Sequence, residues 1–144
     1  MSWRRGIAAG ARAILPVAAG LLVACSAPAR DVPPDVVAQF HDDARWVYGI
    51  LTPLCPSTTQ PALLSRYMPA RNRMRALEIR AAGMPFGSIL AGIRVNQARM
   101  REVADCDRPD GPGTAAEVDS QIRRLGPLVT RMEQVVSRYP AEGS

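Results

Sequence analysis

The chain contains no lysine: all 18 of its basic Lys or Arg positions are arginine. With so much Ala, Pro and Gly around them, that bias points to a GC-rich genome rather than to a selected function. Histidine is nearly absent as well, with His41 alone. At helical spacing His41, Asp42 and Asp43 project about 100° apart and cannot converge on one ion, so the chain offers no zinc site of its own. Aromatic residues make up 5%, which leaves the core short of the large areas that rings bury. There is no Ser-centred elbow, no phosphate-binding loop and no His-Glu-x-x-His, nor a Cys-x-x-Cys-His for covalent haem. No catalytic residue, metal or cofactor is therefore assigned, and the chain is not expected to be an enzyme. A long hydrophobic run is missing too. The twelve residues from Ala13 to Ala24 contain Pro16 and Gly20 and follow Arg12, whereas a membrane span needs about 20 consecutive apolar residues.

What is present begins with that short run. A basic start (Arg4-Arg5), an apolar stretch and a small residue at its end form the three parts of a secretory signal. The signal closes on Leu22-Val23-Ala24-Cys25, which resembles the lipobox of bacterial lipoproteins. The resemblance implies cleavage before Cys25 and lipid on its thiol. One acyl chain holds a protein only marginally, and the two or three chains of a bacterial lipoprotein hold it firmly. By the same resemblance, Ser26 in place of Asp implies an outer-membrane destination in a diderm cell, with the domain in the periplasm. The organisation expected is a signal peptide over 1–24, a lipidated Cys25 and Pro-rich tether over 25–34, a helical domain over 35–140 and a flexible tail over 141–144. A Pro-rich tether extends by about 3.1 Å per residue, so residues 26–34 would hold the domain roughly 28 Å from the lipid.

Losing the leader changes the charge and the cysteine arithmetic. Arg4, Arg5 and Arg12 leave with it, so fifteen arginines face thirteen acids and the formal charge falls from +5 to +2. Nucleic acid is not an expected partner. If Cys25 carries lipid, Cys55 and Cys106 remain as one pair in an oxidising compartment, and a disulfide between them is expected. The remaining 120 residues suffice for one domain that buries roughly two-thirds of its surface.

The hydrophobic spacing predicts helices throughout. Over Pro34 to Leu51, the residues Val36, Val37, Phe40, Ala44, Val47, Tyr48 and Leu51 fall within an arc of roughly 120°. A second region, capped by Thr59, is expected to break at Pro69 into a short piece to Tyr67 and a longer one from Ala70 to Ala82, stopped by Gly83. Helix three, Phe86 to Ala104, points Phe86, Ile89, Leu90, Ile93, Met100 and Ala104 one way, with Asn96 and Gln97 on or beside that stripe. Thr114-Ala-Ala-Glu117 spells a capping box. Beyond it Val118, Ile122, Leu125, Val129, Met132, Val136 and Tyr139 alternate in steps of 4 and 3, a coiled-coil-like seam, with a kink expected at Gly126-Pro127.

These features predict an all-α fold, a small antiparallel four-helix bundle pinned by one disulfide. Up-down-up-down order brings the ends of helices one and three, which carry Cys55 and Cys106, to the same pole. Two features stand out as candidate binding surfaces. Arg124, Arg131 and Arg138, seven apart, line one side of the last helix and could face acidic head groups or an acidic protein. Trp46 projects away from helix one's apolar arc, as an interface anchor or under cover of the Cys55 loop or the short piece after it. The arginines at 71, 73, 75 and 80 flank Met74, Leu77 and Ala81 in two fringes, as snorkelling side chains do. The expected activity is that of a membrane-anchored binding module whose partner is another envelope protein. The alternatives are a carrier of haem or a hydrophobic molecule within the bundle, and an enzyme with an unrecognised site.

Overall fold

In the computed structural model, residues 31–55, 61–107 and 112–140 are described. The leader, Cys25, most of the tether, Thr59 and the 141–144 tail lie outside them. Among the described residues five helices and no strands form: α1 (Pro34–Leu51), α2 (Pro61–Ser65), α3 (Met68–Arg80), α4 (Pro85–Val103) and α5 (Ala115–Arg138).

Proline opens several of these helices. Pro34, Pro69 and Pro85 each lie in a first turn, where a missing N–H costs nothing because no intrahelical acceptor exists for it. Pro69 therefore starts α3 instead of interrupting it, and the break falls at Arg66 and Tyr67. Gly83 adopts φ +78° and ends the α3 turn in the left-handed region that glycine enters without penalty. Four residues on, Gly87 lets α4 approach that turn closely: a Cβ there would lie 2.3 Å from the Ala81 carbonyl oxygen. The capping box of α5 forms as spelled. The Glu117 N–H donates to Thr114 Oγ1 (3.2 Å), and Glu117 Oε2 accepts from the Thr114 and Gly113 N–H groups (2.8 and 2.6 Å). Pro127 lies inside α5, which continues past it without interruption.

The helices form a helical bundle around one core. α1 packs mainly on α5 and α4, and α3 packs on α5 and more lightly on α4. The predicted stripes supply the interior: Phe40, Ala44, Val47, Tyr48 and Leu51 of α1, and Val118, Leu125, Val129, Met132 and Val136 of α5 are all buried. At one end three of the aromatics meet at a tilt, Phe40 with Phe86 at 4.7 Å and Phe86 with Tyr139 at 6.3 Å between centroids. At the other, the Cys55–Cys106 disulfide joins the loops that follow α1 and α4, with Cα atoms 5.4 Å apart. α1 and α4 thus reach this pole together.

Polar clamps fix the helices against one another. Asp43 of α1, 3% exposed, accepts from Arg131 Nε and Nη2 of α5 at 2.6 Å each, and from Gln39 Nε2 at 2.9 Å. Arg73 of α3 grips Glu133 of α5 with both nitrogens, at 3.2 and 2.7 Å, and reaches Thr130 at 2.9 Å. Arg71 donates to the Leu51 carbonyl at 2.7 and 3.2 Å, one of the acceptors left without an intrahelical donor at the end of α1. The arginines expected to snorkel at 71 and 73 are thus specific fasteners.

Candidate functional site

An open groove of about 1060 Å³ runs along the outside of α1 and α4. Its apolar lining comes from the half-buried Ile50 of α1 and Ile89 of α4, with the buried Ile93 of α4. Met100 of α4, 43% exposed, extends the apolar lining toward the disulfide pole. The rim on the α1 side is polar, with His41, Asp42 and Arg45. His41 Nδ1 lies 3.7 Å from Asp42 Oδ1, while Arg45 forms no ion pair among the described residues.

Trp46 stands at this groove with 57% of its surface exposed. The guanidinium of Arg124 lies over its ring, 5.2 Å from the centroid, a distance at which the ring's negative face attracts a cation. The pair links α1 to α5 at the surface and leaves the indole open to solvent.

The arginine row of α5 is therefore not three equivalent cations facing outward. Arg124 is stacked on Trp46, Arg131 is committed to the buried Asp43, and Arg138 is exposed without an ion-pair partner among the described residues. The hydrogen bonds to Asp43 push the Arg131 guanidinium above its ordinary value. Sequence reasoning weighed Asp43 only as a metal ligand beside His41 and Asp42, and missed its burial, its pairing with Arg131 and the groove. A signal for Asp43 did exist: it lies three residues after Phe40 and four before Val47, inside the spacing of the core stripe. An acid at such a position calls for a cation from the facing helix.

Elsewhere, buried phenols find partners. Tyr48 donates to Glu78, which also receives Arg94 Nη1 at 3.1 Å, and Tyr67, fully buried, donates to Gln121. Burial, then the Glu78 hydrogen bond, pushes the Tyr48 pKa far above its ordinary value. Among the described residues no group of three or more His, Cys, Asp or Glu could hold a metal ion, and no helix is long and apolar enough to cross a membrane. No protein-family model, curated protein or solved structure matches the chain.

Proposed function

We propose that this protein is a lipid-anchored lipoprotein of the outer membrane whose periplasmic helical domain binds another envelope protein by surface contact. The anchor rests on the lipobox-like Leu22-Val23-Ala24-Cys25 at the end of a secretory leader. Its four long helices make an antiparallel four-helix bundle on this reading. Two α1–α5 pairs, Arg131 with Asp43 and Arg124 with Trp46, support the opposed course of those helices.

The observation that carries the binding role is Trp46, more than half exposed beside an apolar groove with Arg124 over its ring. Burying so large a ring would favour the folded state by a few kcal/mol, yet more than half of it stays in water. Exposed aromatics paired with arginine are typical anchors of protein interfaces.

The test is crosslinking in intact cells, comparing the wild type with Trp46→Ala and with Arg138→Glu. Arg131 is unsuited to this purpose, because replacing it strands Asp43. Loss of a specific crosslinked band in Trp46→Ala, with the domain still folded, supports the reading; bands unchanged in both variants refute it. Intact mass of the native product tests the anchor, since a retained leader or an unmodified Cys25 would overturn it.

A further inference from the structure

The two ends of the disulfide are unequally placed: Cys55 is 2% exposed, whereas Cys106 lies in an exposed turn after α4. We infer that Cys106 is a thiol–disulfide exchange site, the sulfur of the pair that a thiol of another molecule attacks, with Cys55 as the buried thiol that reforms the bond. The inference does not depend on the binding role proposed above.

A thiolate displaces one sulfur from another by approaching in line with the S–S axis, behind the sulfur it attacks, and the rate depends on access to that sulfur. An approach to Cys55 Sγ must pass through the residues that bury it, so that side of the bond is closed while the domain is folded. Cys106 can be approached from solvent. The chemistry of departure works the other way. Burial disfavours negative charge on the leaving Cys55 sulfur, which by itself favours attack on Cys55. Access outweighs departure, because a poorer leaving group slows each encounter, whereas a sealed sulfur has no encounter until the fold opens locally.

The Cys106 turn can carry an added group. Its hydrogen bonds are local: the Ala104 N–H donates to the Arg101 carbonyl at 3.4 Å and the Asp107 N–H to Asp105 Oδ1 at 3.2 Å. Apart from the disulfide, no hydrogen bond or ion pair among the described residues fastens 104–107 to another helix. An opened bond also stays ready to close. Arg101 Nε donates to the Pro53 carbonyl at 3.2 Å, a second tie between the end of α4 and the loop after α1 that holds the two cysteines as neighbours. The steps balance. An external thiolate bonds to Cys106 Sγ, the Cys55–Cys106 bond breaks, and Cys55 leaves as a thiolate that takes a proton from water. A second thiolate then attacks the external sulfur of the mixed disulfide, and Cys106 departs and is protonated. Two external thiols are oxidised to a disulfide and the protein disulfide is reduced to two thiols. Run in reverse, with an external disulfide as the oxidant, Cys106 attacks first and Cys55 closes the bond.

The experiment uses the full chain carrying Cys25→Ser, so that its two remaining cysteines are the bonded pair. The oxidised protein is exposed briefly to glutathione, quenched with acid and mapped by non-reducing peptide mass spectrometry. In buffer, glutathione is expected on Cys106 at least tenfold more than on Cys55; in concentrated urea, where both sulfurs are open, the two should carry similar amounts. A second measurement adds Cys55→Ser or Cys106→Ser to the same chain and follows the reaction of the single thiol with an aromatic disulfide reagent. The Cys106 thiol should react at least tenfold faster than the Cys55 thiol, and matching helicity and Tm show that both variants are folded alike. Glutathione chiefly on Cys55, equal labelling in buffer, no adduct in buffer, or a preference for Cys106 that persists in urea would each overturn the inference. The last of these would place the selectivity in the local chemistry of the sulfurs and not in the fold.

Discussion

The Asp43 carboxylate, 88 residues from Arg131 in sequence, receives both Nε and Nη2 of that guanidinium at 2.6 Å. The partners are unequally placed: the acid side chain is 4% exposed and the arginine 50%. Removing the arginine leaves a buried anion held by Gln39 alone, whereas removing the acid leaves a cation that water can still reach. Arg131→Ala is therefore expected to destabilise the domain by about 2 to 3 kcal/mol, and Asp43→Asn by less. Urea unfolding followed by circular dichroism checks both, and equal effects would contradict the asymmetry.

Much of the fold was legible because apolar spacing is a local signal. The seam from Val118 to Val136, the arc from Phe40 to Leu51 and the Thr114–Glu117 box each depend on neighbours a few residues away, and each took its expected place. The surroundings of the arginine row were less legible. The spacing of Arg124, Arg131 and Arg138 puts them on one side of a helix but says nothing of what stands opposite. That was decided by Trp46 and Asp43, on a helix some eighty residues earlier. The groove likewise depends on how α1 and α4 lie together, and glycines at 49 and 92 are silent until their surroundings are known.

The Cys55–Cys106 bond closes a segment of 51 residues. On the chain-entropy account such a link stabilises the fold by about 4 kcal/mol, mainly by restricting the unfolded chain. A Cys55→Ser, Cys106→Ser double variant is expected to melt roughly 15 °C lower than the oxidised parent. Calorimetry with and without reductant supplies the control: reduction should lower the parent to near the variant and leave the variant unchanged.

Acid should loosen the α3–α5 contact. The hydrogen bonds from Arg73 hold the Glu133 carboxyl below its ordinary 4.5; burial opposes them, and the Arg73 and Arg80 charges add smaller lowering effects. Because the folded-state pKa is depressed, this stabilisation is complete above the unfolded-state value. It fades as pH falls through the folded one. The stability gap between wild type and Glu133→Gln should be constant from pH 7 to about pH 5 and close progressively below pH 4.5. A gap that persists at pH 2 would show that Glu133 acts through packing and not through its charge.

Two glycines of α4, five residues apart, should answer the same substitution with opposite signs. At Gly87 a methyl group would lie 2.3 Å from the Ala81 carbonyl oxygen and 3.0 Å from its carbon. Both are backbone atoms that cannot swing aside, so the α3–α4 turn must shift, and Gly87→Ala is expected to cost about 1 to 3 kcal/mol. At Gly92 the methyl meets nothing within 4 Å, so Gly92→Ala should instead gain up to about 1 kcal/mol from the better helix former. Thermal melts of the two variants, run beside the wild type, decide the matter. If Gly92→Ala failed to stabilise, the glycine would be serving the fold in a way that its open surroundings do not show.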